Sequence, residues 1–135
     1  MNASTQRLIS RRRRSLRQHF DYLFRRFVWG TDIASSAWIS PSAYIDRTYP
    51  KGVLIEEDCI IEDDACVLTH DMTRGLYLDT KIGAGSVIGT RAIIMPGITV
   101  GAGCIVDPGS VVLSDLPDGS HVRGSPAKPL GRTEA

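Results

Sequence analysis

A six-residue period is the sequence feature that most restricts how this chain can fold. From residue 82 onward an isoleucine or valine recurs at every sixth position, at Ile82, Ile88, Ile94, Val100, Val106 and Val112. The same unit begins upstream at Ile33 and again at Ile55, which makes twelve hexads in all. A period of six fits neither the repeat of an α-helix nor the alternation of a long strand. The pattern therefore indicates a repeat architecture.

Each hexad usually carries a small residue four positions after its aliphatic one. These small residues are Ala37, Ala43, Cys59, Ala65, Ser86, Ala92, Cys104 and Ser110. An inward aliphatic residue on a short strand, followed by a tight turn and a small residue in the corner, suits one side of a triangular coil. Three hexads make one coil, and stacked coils pair their backbone amides at a spacing of about 4.8 Å. Twelve hexads predict about four coils.

The pattern over residues 33–130 resembles the hexapeptide-repeat acyltransferases. Its most specific part, IIMPGITVGAGCIVDPGSVVLSDLPDGSHVRGSPAK, resembles the end of the sugar and xenobiotic O-acetyltransferase branch. The resemblance implies an all-β fold, a left-handed parallel β-helix. We expect a basic amphipathic helix within 1–30, the β-helix over 31–117 with loops at 46–54 and 73–81, and a closing segment over 118–135.

The period breaks twice, and we expect function at the breaks because an uninterrupted stack offers no distinct site. The step from Ile45 to Ile55 is ten residues, four more than the period, and nine residues are inserted after the hexad VLTHDM. Both breaks follow the third hexad of a coil, so they should project from the same edge of the column. The side chains collected at that edge would be Asp46, Arg47, His70, Asp71, Arg74 and Tyr77.

His70 is the candidate general base at this edge, although a lone histidine can also be a polar turn residue that caps a backbone group. A neutral imidazole can remove the proton of a hydroxyl near pH 7. The segment THD resembles the one that carries the catalytic histidine of the family. A carboxylate on the other ring nitrogen would fix the tautomer, and stacking favours Asp46 for this role, with Asp71 as the second candidate.

The resemblance implies that acetyl-CoA donates its acetyl group directly to a hydroxyl of a sugar or polysaccharide precursor, without a metal. Candidate acceptor-binding residues are Arg47, Arg74 and Tyr77. The resemblance places the donor contacts at Gly89, Thr90, Gly109, Ser110, Arg123 and Lys128. It also implies a homotrimer with each donor channel between two subunits. Apolar residues at outward positions, including Trp38, Tyr44 and Ile60, independently indicate an oligomer.

The N-terminal segment differs from the rest of the chain in charge and pattern. Residues 1–28 carry eight arginines against Asp21 alone, whereas the remainder is acidic. One face of the expected helix is apolar and comprises Ile9, Leu16, Phe20, Leu23 and Phe27. This stripe either packs on the column, over its side or its open end, or contacts a membrane surface. A nucleic-acid partner is not expected, since the body is acidic and lacks a reading motif.

No apolar run is long enough to span a bilayer, and the N-terminus lacks a signal-peptide core. We therefore expect a cytoplasmic protein, peripheral at the inner face of the membrane if the apolar stripe binds lipid. The three cysteines lack metal-like spacing and are expected to be reduced.

Two other functions are compatible with the same fold. A γ-type carbonic anhydrase needs three histidines around zinc, and the three histidines here, His19, His70 and His121, lie far apart in the pattern. Pro108 and Ser114 depart from the residues usual in the family, which keeps a non-catalytic scaffold open.

Overall fold

The computed structural model describes residues 14–132 and has the expected fold, a left-handed parallel β-helix preceded by a helix. Helix α1 spans Leu16–Phe24 and continues as a π-helical turn over Arg25–Trp29. The strands are β1 Asp32–Ile33, β2 Trp38–Ile39, β3 Tyr44–Ile45, β4 Val53–Ile55, β5 Ile60–Ile61, β6 Cys66–Val67, β7 His70–Asp71, β8 Leu76–Tyr77, β9 Thr80–Ile82, β10 Val87–Ile88, β11 Ile93–Ile94, β12 Thr99–Val100, β13 Ile105–Val106, β14 Val111–Val112, β15 Ser120–Arg123 and β16 Lys128–Arg132, with a 3₁₀ turn at Pro50–Gly52.

The strands form the three faces of a column. The first face is β1–β4–β9–β12, the second is β2–β5–β10–β13–β15–β16, and the third is β3–β6–β11–β14. All neighbours within these faces are parallel except β15 and β16, which pair antiparallel and close the second face. Four coils are complete, and a bridge from Val100 to Leu116 begins a fifth. Four complete coils are the number predicted from twelve hexads at three hexads per coil.

The periodic aliphatic residues fill the interior of the column. Ile82, Ile88, Ile94 and Val100 are completely buried, and the small corner residues are at most 5% exposed. One predicted outward position, Ile60, is buried instead, at 1% exposure. It lies between Trp38 and Val87 in the second face, with a neighbouring strand on each side.

Both breaks in the period lie on the edge that joins the third face to the first, as predicted. We call this the insertion edge, and it comprises residues 46–52, 68–79, 95–98 and 113–115. The first break forms the 3₁₀ turn. The second forms a β-hairpin in which His70 pairs with Tyr77 and Asp71 with Leu76. The stacking of β3 under β6 brings the two breaks together.

Helix α1 begins at a capping box. The hydroxyl of Ser15 accepts a hydrogen bond from the Gln18 backbone at 3.2 Å, and the Gln18 side chain accepts one from the Ser15 backbone at 2.8 Å. The helical segment ends at Gly30, whose φ of 78° lies in the left-handed region. In the described part of the chain, no helix is both long and apolar enough to cross a bilayer.

The apolar stripe of α1 does not pack over the column, so the first of the two interpretations of that stripe is wrong. Phe20 and Phe27 are 67% and 77% exposed. The opposite side of the helix contacts the first coil, because Tyr22 packs against the core and Gln18 donates to the Ile39 carbonyl. Ile9 lies outside the described residues.

Candidate active site

The imidazole of His70 is in contact with the carboxylate of Asp46. The distance from His70 Nδ1 to Asp46 Oδ2 is 2.5 Å. His70 lies on β7 at the base of the hairpin, and Asp46 follows β3 one coil below. The side chain of Asp46 is completely buried, whereas that of His70 is 20% exposed. The pair therefore joins an interior carboxylate to a ring that reaches solvent.

Backbone amides surround the Asp46 carboxylate. Oδ1 accepts hydrogen bonds from the backbone of Thr48 at 2.8 Å and of Tyr49 at 3.4 Å. Oδ2 accepts from the backbone of Thr69 at 2.8 Å and of His70 at 3.2 Å. Burial by itself raises the pKa of this carboxyl, but these hydrogen bonds and the one from the imidazole outweigh burial and hold the pKa below its ordinary value.

This arrangement selects one tautomer of His70. Because Asp46 stays ionised, the nitrogen that faces it, Nδ1, carries the proton. The other nitrogen, Nε2, is then unprotonated in the neutral ring, and it forms no hydrogen bond within residues 14–132. The geometry suits Nε2 to act as a proton acceptor for an incoming hydroxyl.

Asp71, the second candidate to orient His70, is used elsewhere. Its Oδ1 accepts from the backbone of Thr73 at 2.9 Å, and its Oδ2 accepts from Arg74 Nε at 2.6 Å. Hydrogen bonds from Thr73 and Arg74 hold its pKa far below the ordinary value. Asp71 therefore stabilises the hairpin turn and forms no hydrogen bond with the imidazole, so its assignment as a catalytic carboxylate is corrected.

Two tyrosines stand beside His70 and form an aromatic wall. Tyr77 is the cross-strand partner of His70, so the two side chains leave the hairpin on the same side. Its ring meets that of Tyr49 edge to face, with centroids 5.9 Å apart. The Tyr49 hydroxyl donates to Asp79 at 3.2 Å, which raises the pKa of Tyr49. Tyr77 is a predicted site residue, and Tyr49 is one of the loop residues whose composition suits a polar acceptor, but nothing in the sequence indicates that the two rings meet.

The two arginines predicted to bind the acceptor lie apart from each other. The side chain of Arg74 is 59% exposed and tied to Asp71. The guanidinium of Arg47 stacks over Trp29, 5.3 Å from the ring centroid. Arg47 lines a cavity of about 290 Å³ between the helical segment and the first coil, which Asp46 also lines but His70 does not. Neither arginine contacts His70 directly through a hydrogen bond or ion pair.

The predicted donor residues in the turns lie on a different edge from His70. We call it the turn edge, the junction of the second and third faces, at residues 40–43, 62–65, 89–92 and 107–110. Gly89 donates its N–H to the Val106 carbonyl at 2.8 Å, so this amide is not available to a thioester oxygen. A Cβ on Gly89 would lie 2.7 Å from Val106 O, which explains the glycine by stacking alone.

The remaining turn residues differ in what they can reach. Ser110 is completely buried and its hydroxyl accepts from the Gly124 backbone at 3.1 Å, so its assignment as a donor contact is corrected. Its small side chain fills a corner, as the period predicts. Gly109 and Thr90 are exposed, and the Gly109 amide donates to the Thr90 carbonyl at 2.8 Å. Of the four predicted donor residues in the turns, Gly89, Thr90, Gly109 and Ser110, only Thr90 and Gly109 are exposed to solvent.

The closing strands supply cations beside the turn edge. Arg123 Nε donates to Asp107 Oδ2 at 2.7 Å, and the Arg123 side chain is 65% exposed. Asp107 Oδ1 also contacts His121 Nε2 at 2.7 Å. Burial raises the pKa of Asp107, but His121 and Arg123 more than offset this and the pKa lies below its ordinary value. Lys128 is exposed and pairs with Arg123 across the antiparallel strands.

A zinc site of carbonic anhydrase type is not formed. His19 lies on α1. His121 lies on β15 and pairs with Asp107, so neither histidine approaches His70. Within residues 14–132 there is no group of three potential metal ligands. All three cysteines are free, and burial raises the pKa of Cys59 to about 12 and raises that of Cys66, which disfavours a thiolate nucleophile.

Comparisons with known proteins agree with the architecture. A family model described as "Bacterial transferase hexapeptide (six repeats)" matches residues 79–114. The chain is 36% identical over 109 residues to Serine acetyltransferase 4 of Arabidopsis thaliana, an alignment that covers 77% of this chain and 30% of that protein. It is 35% identical over 111 residues to the serine acetyltransferase of Helicobacter pylori, covering 78% of this chain and 63% of that protein.

A solved structure is also similar. That of the polySia specific acetyltransferase NeuO has a TM-score of 0.61 and 25% identity, covering 72% of this chain and 49% of that one. The chain spans only about a third of the length of the first two curated relatives, at 30% and 32%.

Proposed function

The chain belongs to the hexapeptide-repeat acyltransferases, and on this premise we propose that it transfers an acetyl group from acetyl-CoA to a hydroxyl, with His70 as the general base. The observation that carries the proposal is the contact between His70 and the buried, ionised Asp46 at the edge where the repeat is interrupted. A histidine that merely capped a turn would not require a buried carboxylate on its second nitrogen.

The proposed reaction is a direct transfer within a ternary complex. His70 Nε2 removes the proton of the acceptor hydroxyl while its oxygen attacks the carbonyl carbon of the thioester. The tetrahedral intermediate collapses, the carbon–sulfur bond breaks, and His70 returns the proton to the thiolate, so that CoA leaves as the free thiol. Asp46 stays ionised throughout and stabilises the imidazolium.

A saccharide is the acceptor that we propose first. Support comes from Tyr49 and Tyr77, whose rings form a wall next to His70, because sugar rings pack their apolar faces against aromatic side chains while their hydroxyls remain hydrated. Asp79 and the hydroxyl of Tyr77, a residue that is exposed, add polar groups at the same wall. The solved NeuO structure is that of a polySia specific acetyltransferase, which is consistent with this class of acceptor.

L-serine is the second candidate acceptor. The specific observation in its favour is that the relatives from Arabidopsis thaliana and Helicobacter pylori are serine acetyltransferases. Serine presents a hydroxyl to the same base, so the mechanism at His70 is unchanged. What differs is the binding of a carboxylate and an ammonium group, for which an arginine such as Arg47 would be needed near the insertion edge.

We also propose that the active unit is an oligomer, with threefold symmetry as the family resemblance implies. His70 lies on the insertion edge, whereas Thr90 and Gly109 lie on the turn edge of the same column. One column therefore cannot bring its own base and these donor contacts together. A neighbouring copy can, if its turn edge faces the insertion edge, and the donor would then lie between two subunits with Arg123 and Lys128 near its phosphates.

The decisive experiment measures release of free CoA thiol from acetyl-CoA with L-serine and a panel of saccharides. Turnover with at least one acceptor is expected, with a loss of about 100- to 10,000-fold in kcat for His70→Ala. The matched control is His121→Ala, which removes the other carboxylate-paired histidine. We expect its kcat to stay within a few-fold of the wild-type value.

Two outcomes would contradict the proposal. Equal effects of His70→Ala and His121→Ala on kcat would remove the special role of His70. A protein that binds acetyl-CoA but turns over no acceptor in the panel would favour the scaffold alternative. Turnover of L-serine and not of saccharides would replace the first acceptor by the second and leave the role of His70 intact.

A further inference from the structure

A strip of large apolar side chains on the helical segment faces solvent. Its residues lie on α1 and the π-helical turn, and each is at least 38% exposed. They are Leu16 (90%), Phe20 (67%), Leu23 (38%), Phe24 (41%), Phe27 (77%) and Val28 (66%). The rings of Phe20 and Phe24 stack with centroids 6.4 Å apart, and those of Phe24 and Trp29 are 6.1 Å apart. We call the six exposed residues, without Trp29, the helix strip. Monomeric proteins seldom leave so large a contiguous apolar surface exposed.

The outward orientation of the helix strip follows from the polar contacts on the other side of the helix. Arg14 donates to the Ala37 carbonyl and lies over the Tyr22 ring, with its guanidinium carbon 4.2 Å from the centroid. Arg26 pairs with Asp32 at 2.8 Å. These contacts anchor the segment to the first coil through its polar side. Turning the strip inward would break them.

The charge of the chain indicates what covers the strip. Residues 1–28 contain eight arginines and only Asp21 as an acid, whereas the rest of the chain has an excess of acidic residues. A second copy of this strip would bring two strongly basic segments together, which like-charge repulsion opposes. An anionic bilayer attracts the basic segment and repels the acidic column, so it also orients the molecule.

We propose that the helix strip is a docking surface for an anionic phospholipid bilayer. The described helical segment lies in the plane of the membrane, because its large apolar side chains are exposed on one side while its other side contacts the column, and the strip lies among the acyl chains near the headgroups. Arg17, exposed beside the strip, contacts the lipid phosphates. The acidic column then projects away from the surface.

The test is cosedimentation of the full-length protein with vesicles. We expect binding to vesicles that contain phosphatidylserine, at least about 10-fold weaker binding to vesicles of phosphatidylcholine alone, and further weakening as salt rises from about 0.1 M to 0.5 M. The variant Phe20→Ser with Phe27→Ser should bind anionic vesicles at least about 10-fold more weakly than the wild type, because two exposed rings no longer enter the bilayer.

The control is Met72→Ser with Leu113→Ser, which removes two apolar side chains of comparable exposure, 73% and 53%, from the column. Its vesicle binding should equal that of the wild type. All four positions are exposed, so the melting temperatures of both variants should match that of the wild type. This check separates loss of binding from loss of folding.

Three results would overturn the proposal. The first is absence of binding to anionic vesicles, and the second is equal binding by the Phe20 and Phe27 variant and the wild type. The third combines two measurements: the wild type does not bind vesicles, and the variant has a lower molar mass than the wild type in light scattering. That combination would assign the strip to a contact between copies of the chain. None of these measurements depends on enzyme turnover, so the proposal fails or stands independently of the role of His70.

Discussion

Asp46→Asn is the substitution that tests most directly how the site works. The carboxylate accepts from four backbone amides and from the imidazole, and an asparagine has one acceptor oxygen instead of two. If the amide nitrogen replaces Oδ1, it faces the N–H groups of Thr48 and Tyr49. If it replaces Oδ2, it faces those of Thr69 and His70 and donates to Nδ1, which moves the ring proton to Nε2. Either orientation leaves buried donors facing one another.

The magnitudes follow from these contacts. Hydrogen bonds to a buried charged group contribute about 1.5–3 kcal/mol each, and their partial replacement should lower the free energy of unfolding by about 2–4 kcal/mol. A proton on Nε2 removes the base from the acceptor side. In serine proteases the equivalent change of tautomer lowers kcat about 10,000-fold, so we expect a loss of about 100- to 10,000-fold here, with KM much less affected.

The assay combines thiol release at saturating acetyl-CoA and acceptor with urea unfolding of the same preparations. Asp118→Asn is the matched control, because Asp118 also accepts a backbone hydrogen bond at a corner of the column, from Ala102 at 2.9 Å, but far from His70. Its kcat should stay within a few-fold of the wild type. The reasoning is refuted if folded Asp46→Asn loses less than about tenfold in kcat while His70→Ala loses more than 100-fold.

Three further predictions concern pH, packing and thiol chemistry. Folding lowers the pKa of Asp46 below its ordinary value, so ionised Asp46 stabilises the folded state at any pH above that ordinary value. This stabilisation is lost as the pH falls through the pKa of the folded state. The difference in unfolding free energy between wild type and Asp46→Asn should therefore be largest at pH 7 and shrink below about pH 4 in urea titrations. Gly89→Ala should lower the free energy of unfolding by about 1–3 kcal/mol, measured by denaturant titration, since its Cβ would meet the next coil at 2.7 Å. Cys59, buried and with a thiol pKa of about 12, should react with a thiol reagent only on unfolding, whereas the half-exposed Cys66 should react in the native protein; equal rates would contradict the packing.

The period in the sequence was sufficient to predict the column and the edge where the two insertions meet. Side chains six residues apart share an environment, so counting hexads predicts which residues are buried and which breaks stack. The same count places Asp46 on the same edge as His70 and one coil below it, because Ile45 pairs with Val67 in the structure. Ser110 shows the limit of resemblance. Its place in the period assigns it to a buried corner, and the structure agrees with the period and not with a role in donor binding.

What the sequence could not predict depends on contacts within the insertions. The carboxylate of Asp71 binds the hairpin turn through Thr73 and Arg74, and nothing in the segment HDMTRG distinguishes this from a contact with His70. The position of Tyr49 against Tyr77 depends on how two loops of different length meet. The helical periodicity of the N-terminal segment predicted an apolar stripe, and its described members Leu16, Phe20, Leu23 and Phe27 are all exposed, but periodicity does not say which side of a helix faces the body.

The insertions and the orienting carboxylate are physically linked. In an uninterrupted coil each strand amide donates to the coil above, but an insertion leads the chain away from that ladder and leaves amides without a carbonyl partner. At this edge the amides of Thr48, Tyr49, Thr69 and His70 converge on Asp46, which supplies the missing acceptors in the interior. Those amides offset the cost of burying a charge, and the charge in turn holds the imidazole. A buried acid that accepts these hydrogen bonds at an insertion is thus already positioned to orient a base, which is a physical reason for the candidate site to lie at the insertion edge and not at either of the regular edges.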